Sequence, residues 1–298
     1  MMNFADRLID AIRKKKSCVC VGLDPRLDLI PQEIVHQYDI FDYDINIQAG
    51  YVIRDFCNAV IDAVADDAVA VKPQSAFFEQ YGWPGVQALE QIVNYAQQKG
   101  LLVILDVKRS DIASTAEAYA KAFFKGRDIS ADAITVNPYL GMDSLEPFIK
   151  LCTDEGKGLF VLVKTSNPGS KDFQDALLQD NRKLYELVAE KVGQAGQKLV
   201  GKEGYSSIGA VVGATFPQEA ETIRKLMPKT IFLVPGYGAQ GAKAEDLKDY
   251  FNTDGLGVII NASRSIIFAG AKSTNWQGEI KKAAKEMKEE IGRVTRKA

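Results

Sequence analysis

The stretch LLVILDVKRSDIAST, residues 101–115, begins as an apolar run typical of a buried strand and ends in a polar turn that leads towards a helix. Runs of the same kind recur along the whole chain, and amphipathic segments with helical spacing lie between them. The runs are apolar on both faces, which is typical of a sheet covered on both sides, and the alternation of strand with helix predicts parallel strands. The eight runs are CVCVGLD (18–24), AVAVKP (68–73), LLVILDVK (101–108), AITVNP (133–138), LFVLVKT (159–165), GAVVGAT (209–215), IFLVPG (231–236) and GVIINAS (257–263).

Eight strands with intervening helices in a chain of 298 residues favour a closed barrel over an open sheet. We therefore expect an α/β fold, the (β/α)8 or TIM barrel, with residues 1–298 forming a single domain. The polar segment 166–182, after the fifth run, is longer than a tight connection, and it fits either a mobile lid or a surface insertion without a catalytic role. The last segment, 279–298, is charged on most faces and is expected to be a solvated helix.

The composition limits the classes of partner. Lysine and arginine total 37 against 39 acidic residues, so the chain has no broad cationic field for nucleic acid or an anionic membrane. No apolar run is long enough for a membrane helix, and residues 1–16 predict an amphipathic helix rather than a signal peptide. The four cysteines lack the spacing of a metal site or a disulfide framework, which indicates reduced thiols and a cytoplasmic protein.

Charged residues end three successive runs, at Asp24, at Lys72, and at Asp106 with Lys108. In a barrel of this kind the carboxyl ends of the strands meet at one rim, where active sites lie. Asp106 and Lys108 are two positions apart, so on an extended segment both side chains point the same way. A purely structural ion pair is the alternative, but such a pair is usually no more stabilising than apolar packing, which favours a functional site. A lysine between carboxylates stays protonated and can act as a general acid.

The segments PGYGAQGA (235–242) and NASRSII (261–267) follow the seventh and eighth runs. Phosphate sites in these barrels are commonly built from these two loops. The glycines let backbone N–H groups approach an anion, and Arg264 supplies a forked donor for phosphate oxygens. The two segments together predict a phosphate site.

The chain contains one histidine, His36, so neither a histidine-based triad nor a histidine-rich metal site is expected. A divalent metal between Asp24 and Asp106 stays formally possible. Lys108 argues against it, because an ammonium and a metal cation would compete for the same oxygens. We expect no metal and no cofactor.

The LDVKRSDIAST segment resembles the D-x-K-x-x-D-I signature of orotidine 5′-phosphate decarboxylases. Four further segments are similar to the longer bacterial subfamily of that enzyme, and the resemblance as a whole runs from the first run to the eighth. It implies metal- and cofactor-free decarboxylation of orotidine 5′-monophosphate (OMP) to uridine 5′-monophosphate (UMP) in pyrimidine synthesis, by a homodimer. The four segments are VKPQSAFFEQYG, ITVNPYLGMDSLEPF, VKTSNPGS and LVPGYGAQG.

The resemblance also implies roles for individual residues. Lys108 would be the proton donor, in a charged network with Asp106, Lys72 and Asp111. Asp111 and Thr115, from the turn and the start of the next helix, would reach the site of the neighbouring subunit. The residues implied in substrate binding are Asp24 and Lys72 for the ribose hydroxyls, Ser166 for the pyrimidine edge, Gln240, Gly241 and Arg264 for the phosphate, and Asn137 in a loose supporting role.

Two other functions fit parts of this pattern. A Mg²⁺-dependent keto-sugar-phosphate decarboxylase, or a hexulose-phosphate synthase, resembles the chain in its barrel, its D-x-K-x-x-D core and its phosphate loop. Dependence on metal would separate these enzymes from an OMP decarboxylase. A non-catalytic barrel that binds a phosphosugar or nucleotide would need the phosphate site but has no use for Lys108 between aspartates.

Overall fold

The computed structural model describes residues 2–39, 44–126, 129–238 and 243–295. Eight parallel strands of this part of the chain form a closed barrel in which each strand pairs with its neighbours in sequence and β8 closes on β1. The strands are β1 (Val19–Leu23), β2 (Ala70–Pro73), β3 (Leu102–Arg109), β4 (Ala133–Val136), β5 (Gly158–Lys164), β6 (Ser206–Val212), β7 (Thr230–Pro235) and β8 (Val258–Ala262). The predicted (β/α)8 barrel is confirmed.

Helices lie between the strands, and short 3-10 segments complete several of the connections. The helices are α1 (Phe4–Lys15), α2 (Gln32–Val35), α3 (Ile45–Val64), α4 (Ala76–Glu79), α5 (Gly82–Gln98), α6 (Ala113–Phe124), α7 (Glu146–Glu155), α8 (Leu184–Gly196), α9 (Pro217–Leu226), α10 (Arg264–Ile267) and α11 (Trp276–Thr295). The 3-10 segments are Leu27–Leu29, Met142–Leu145, Pro168–Asp172, Gln197–Leu199 and Ala244–Tyr250.

The strands are buried on both faces, as their unbroken apolar runs require. Every residue of β1, β4, β6 and β8 is buried. The helix α1 packs against the start of β5, where the ring of Phe4 meets Phe160 edge-on at 5.8 Å. A side chain at Gly158 would overlap the Phe4 ring, so glycine permits this close approach.

Two elements differ from their sequence-based prediction. The sixth strand begins at Ser206, three residues before the predicted run, because Ser206 and Ser207 are buried in the sheet despite their hydroxyls. The last helix, α11, is not solvated on all sides, because a stripe of apolar residues is buried and the helix contacts α3. That stripe consists of Trp276, Ile280, Ala284, Met287 and Ile291. Among the described residues, no helix has the length and apolar character needed to span a membrane.

Candidate active site

A buried carboxylate, Asp106, lies near the carboxyl end of β3 between two lysines. Nζ of Lys72 on β2 donates to Asp106 Oδ2 at 2.6 Å, and Nζ of Lys108 donates to Asp106 Oδ1 at 2.7 Å. Burial alone would raise the pKa of Asp106, but the ammonium groups of Lys72 and Lys108 outweigh burial and hold this pKa well below its usual range. Burial would likewise lower the pKa of Lys72, and the carboxylates of Asp106 and Asp24 instead raise it. The structure therefore favours an anion between two cations.

Lys108 reaches this cluster by a different geometry from the predicted one. The pairing of β3 with β4 shifts between Leu105 and Arg109, so β3 carries a bulge at this point. Lys108 adopts the left-handed backbone conformation, with φ of +45°. This conformation is energetically unfavourable for any residue that has a Cβ atom. The expectation that Asp106 and Lys108 converge is confirmed, but the assumption of an extended segment was wrong. The bulge, not the alternation of a regular strand, brings the two side chains together.

Thr135 on β4 is a member of the cluster that sequence reasoning missed. Its hydroxyl donates to Asp106 Oδ1 at 2.7 Å and accepts from the backbone N–H of Lys108 at 3.0 Å. The only signal in the sequence was a hydroxyl residue inside the apolar run AITV, which is also common in ordinary strands.

Several buried oxygens near the carboxyl ends of the strands have no hydrogen-bond partner among the described residues. Asp24, after β1, is one of them, and its carboxylate also acts on Lys72 electrostatically. Buried polar atoms are normally paired, so these oxygens are available to the hydroxyl or N–H groups of a ligand. They are Asp24 Oδ1, Thr215 Oγ1, Asn261 Oδ1 and Ser263 Oγ.

Three predicted site residues are not part of the charged cluster. The Asp111 carboxylate accepts from the backbone N–H of Ile112 at 2.8 Å and forms no ion pair among the described residues. Thr115 is exposed, and it is the third residue of α6 rather than its first. The side-chain oxygen of Asn137 accepts from the backbone N–H of Tyr139 at 3.0 Å and so stabilises its own turn.

The predicted phosphate site is described only in part, because Gln240 and Gly241 lie outside the described residues. The flanking Gly236 and Gly238 have φ of +101° and +71°, conformations that favour glycine. Arg264 is exposed at the start of α10. Because β7 pairs directly with β8, Gly236 and Arg264, which follow these two strands, lie at the same end of the barrel.

Ser166 follows β5 and is half-buried, against Gly213 after β6. The segment 166–182 that it opens is held to the barrel by polar contacts. Nζ of the fully buried Lys164 donates to Asp175 Oδ1 at 2.8 Å. The side chain of Gln174 bonds Thr165 twice, at its backbone N–H and at its hydroxyl, with distances of 2.9 and 2.8 Å. Sequence reasoning also missed Lys164. It lies at the end of an apolar run, and a lysine at such a position is usually exposed to solvent.

Metal-binding side chains do not converge in the described ranges. No group of three or more histidine, cysteine, aspartate or glutamate residues there could hold a metal ion. His36 is exposed, with Asp39 3.9 Å away.

A sequence model of the family described as "Orotidine 5'-phosphate decarboxylase / HUMPS family" matches residues 17–278. The chain belongs to this family. It is 46% identical over 278 residues to the orotidine 5′-phosphate decarboxylase of Caldicellulosiruptor bescii, covering 90% of both chains. It is 43% identical over 304 residues to the protein of the same name from Rhodopirellula baltica, covering 98% of this chain and 99% of that one. The solved OMP decarboxylase of Leishmania donovani is 35% identical, with a TM-score of 0.78 and 99% of each chain covered. The resemblance stated from the motifs is confirmed.

Proposed function

We propose that this protein is a carboxy-lyase that converts OMP to UMP and CO₂ in pyrimidine synthesis, with Lys108 as the proton donor. Membership of the OMP decarboxylase family supports the reaction. The role of Lys108 is supported by the 2.7 Å contact between its Nζ and Asp106 Oδ1, at the rim where barrel enzymes hold their substrates. The Mg²⁺-dependent sugar-phosphate enzymes of the same barrel group are not favoured, because relatives at 43–46% identity are named OMP decarboxylases.

Loss of CO₂ breaks the bond between C6 and the carboxylate carbon and leaves its electron pair on C6 of the pyrimidine. The ring offers no conventional electron sink for this charge, so the protein must stabilise it electrostatically. The Lys108 ammonium is the group that we assign to this task, and it then donates one proton to C6 to give UMP. The Lys108 side chain is 43% exposed while Asp106 and Lys72 are buried, so Lys108 is the charged member of the cluster that a substrate can reach.

The free carboxylate oxygen of Asp24 and the Lys72 ammonium suit the hydroxyl groups of a ribose, and Ser166 suits the pyrimidine edge. Arg264 and the glycine-rich loop after β7, with Gln240 and Gly241, would hold the phosphate. The phosphate lies far from the reacting carbon. The binding energy of the phosphate can therefore be used to orient the pyrimidine ring. Orotidine, which has no phosphate, should lose turnover as well as affinity.

We further propose that the working unit is a homodimer in which Asp111 and Thr115 complete the site of the partner subunit. Both residues follow β3 and are not part of their own subunit's charged cluster. Large exposed apolar side chains accompany them at the ends of β3 and β4, which is typical of an interface. They are Ile112, Tyr139 and Leu140, at 55%, 77% and 47% exposure.

We place the protein in the cytoplasm and regard residues 1–298 as one functional domain. The four cysteines are free and buried, which suits a reducing compartment. One barrel carries every described residue of the proposed site, which supports a single functional domain.

The first experiment follows the ultraviolet absorbance of OMP with purified protein in EDTA, beside a Lys108→Ala variant. We expect turnover by the wild type and almost none by the variant. A wild type that is inactive in EDTA, and that gains activity with Mg²⁺ and a keto-sugar phosphate, would overturn the proposed reaction. Equal rates for wild type and Lys108→Ala would remove Lys108 from its role.

A further inference from the structure

Three hydrogen bonds around Thr135 form a closed ring. The backbone N–H of Lys108 donates to Thr135 Oγ1 at 3.0 Å, and the Thr135 hydroxyl donates to Asp106 Oδ1 at 2.7 Å. The same oxygen, Asp106 Oδ1, accepts from Lys108 Nζ at 2.7 Å. Lys108 is thus held at both ends, at its backbone by Thr135 and at its ammonium by Asp106, and Thr135 connects the two.

This ring of hydrogen bonds lies at a strained position of the backbone. Lys108 has φ of +45° within a bulge, and a residue held in that region persists only when its surroundings determine the conformation. The bulge interrupts the regular hydrogen-bond ladder between β3 and β4. The Thr135 hydroxyl accepts the hydrogen bond from the Lys108 N–H that a backbone carbonyl would accept in a regular strand.

Thr135 is suited to this task by its own surroundings. It is 1% exposed, it lies in the middle of β4, and its neighbours Ile134 and Val136 pair with β3 on either side of the bulge. A buried β-branched side chain has a narrow choice of χ1, so the direction of the hydroxyl is fixed by the strand. Asp106 is ionised and accepts only, so the Thr135 proton points to Asp106 and its lone pairs remain for Lys108.

We propose that Thr135 is a positioning residue that keeps the Lys108 ammonium in the position from which it donates its proton to C6 of the substrate. The proposal rests on the proposed function, in which Lys108 donates the proton. Thr135 is 1% exposed and its hydroxyl bonds to Lys108 and Asp106, so we assign it an action through these two residues rather than on the substrate. Its effect therefore falls on the chemical step rather than on binding.

The decisive variants are Thr135→Val, which keeps the shape and removes both hydrogen bonds, and Thr135→Ser, which keeps the hydroxyl. The matched control is Thr230→Val, since Thr230 is also a buried strand threonine but stands at the amino end of β7. We expect Thr135→Val to lower kcat about ten- to a hundredfold with KM changed less than about threefold, because small displacements of a reacting group cost this much. Thr135→Ser should recover most of kcat, and Thr230→Val should resemble the wild type.

A second readout is independent of turnover. Hydrogen exchange of the Lys108 backbone amide should be slow in the wild type and in Thr135→Ser, and fast in Thr135→Val at equal global stability. If the wild type does not decarboxylate OMP, the proposed function fails, while the exchange result still decides whether Thr135 holds Lys108. A Thr135→Val protein with unchanged kcat or unchanged exchange, or a Thr135→Ser protein as impaired as Thr135→Val, would overturn the proposal.

Discussion

Nζ of Lys72 lies 2.6 Å from Oδ2 of Asp106, and both side chains are more than nine-tenths buried. Both charges are removed from bulk water, so each depends on neighbouring charges, and above all on the other, for its ionised state. Lys108 approaches the other carboxylate oxygen, which leaves one anion between two cations. The net positive charge of this trio suits an anionic substrate and a carbanion.

Asp106→Asn should lower both stability and activity. The substitution leaves Lys72 buried beside a neutral amide, and loss of one partner of a buried pair typically costs about 3–5 kcal/mol of unfolding free energy. Turnover of OMP should fall because Lys108 also loses its contact. Urea denaturation and a turnover assay measure the two effects. The control is Asp28→Asn, since the exposed pair of Asp28 with Arg26 should contribute less than about 1 kcal/mol.

The depressed pKa of Asp106 predicts how its contribution depends on pH. A carboxyl with a lower pKa in the folded state stabilises the protein fully above its unfolded pKa, about 3.9, and loses that contribution as pH falls through the folded value. Between pH 7 and pH 5 the difference in unfolding free energy between wild type and Asp106→Asn should therefore stay constant. Below about pH 4 the difference should shrink. A gap that widens as the pH falls would contradict the assignment.

The barrel was predictable because few other folds accommodate eight apolar strands separated by helices. Lys72 and Asp106 were found because they lie near the ends of such runs. The path of Lys108 was not predictable. Alternation assumes a regular strand, whereas the bulge and the left-handed φ depend on the pairing with β4. Thr135 and Lys164 were missed for a related reason, since their partners are remote in sequence or lie in a loop.

Asp175→Asn should loosen the segment 166–182. Lys164 has no exposure and would lose its carboxylate, leaving an ammonium that the rings of Tyr185 and Phe216 only partly compensate. Leaving a buried donor poorly paired costs about 1–3 kcal/mol, and the partial exposure of Asp175 argues for the lower end. Limited proteolysis within the segment and urea denaturation measure the effect.

The double variant Lys164→Met with Asp175→Asn is the control for that substitution, because it removes the buried charge together with its partner. We expect its stability to lie closer to the wild type than that of Asp175→Asn alone. If both proteins are equally destabilised, the pair does not hold the segment in the way that the contact indicates.

The four thiols should be inert in the folded protein. All are buried, and burial raises the pKa of Cys18 and Cys20 to about 12 and the pKa of Cys57 and Cys152 as well. Since the thiolate is the reactive form, a thiol reagent at neutral pH should label the native protein slowly and label all four cysteines in denaturant. Fast labelling of the native protein would show that the strand and helices around these thiols open readily.

The shared site that we propose predicts that two inactive variants rescue each other. Lys108→Ala lacks the proton donor, and Asp111→Ala lacks the group that we assign to the partner's site. In a mixed dimer, one site receives Lys108 from one subunit and Asp111 from the other and is intact, so random reassortment should restore about one quarter of wild-type turnover. Mixing Lys108→Ala with Lys72→Ala is the matched control, because both residues belong to the same subunit's cluster and no intact site can form. No recovery in the first mixture, with subunit exchange verified, would place Asp111 in its own subunit's site and remove the structural reason for a dimer.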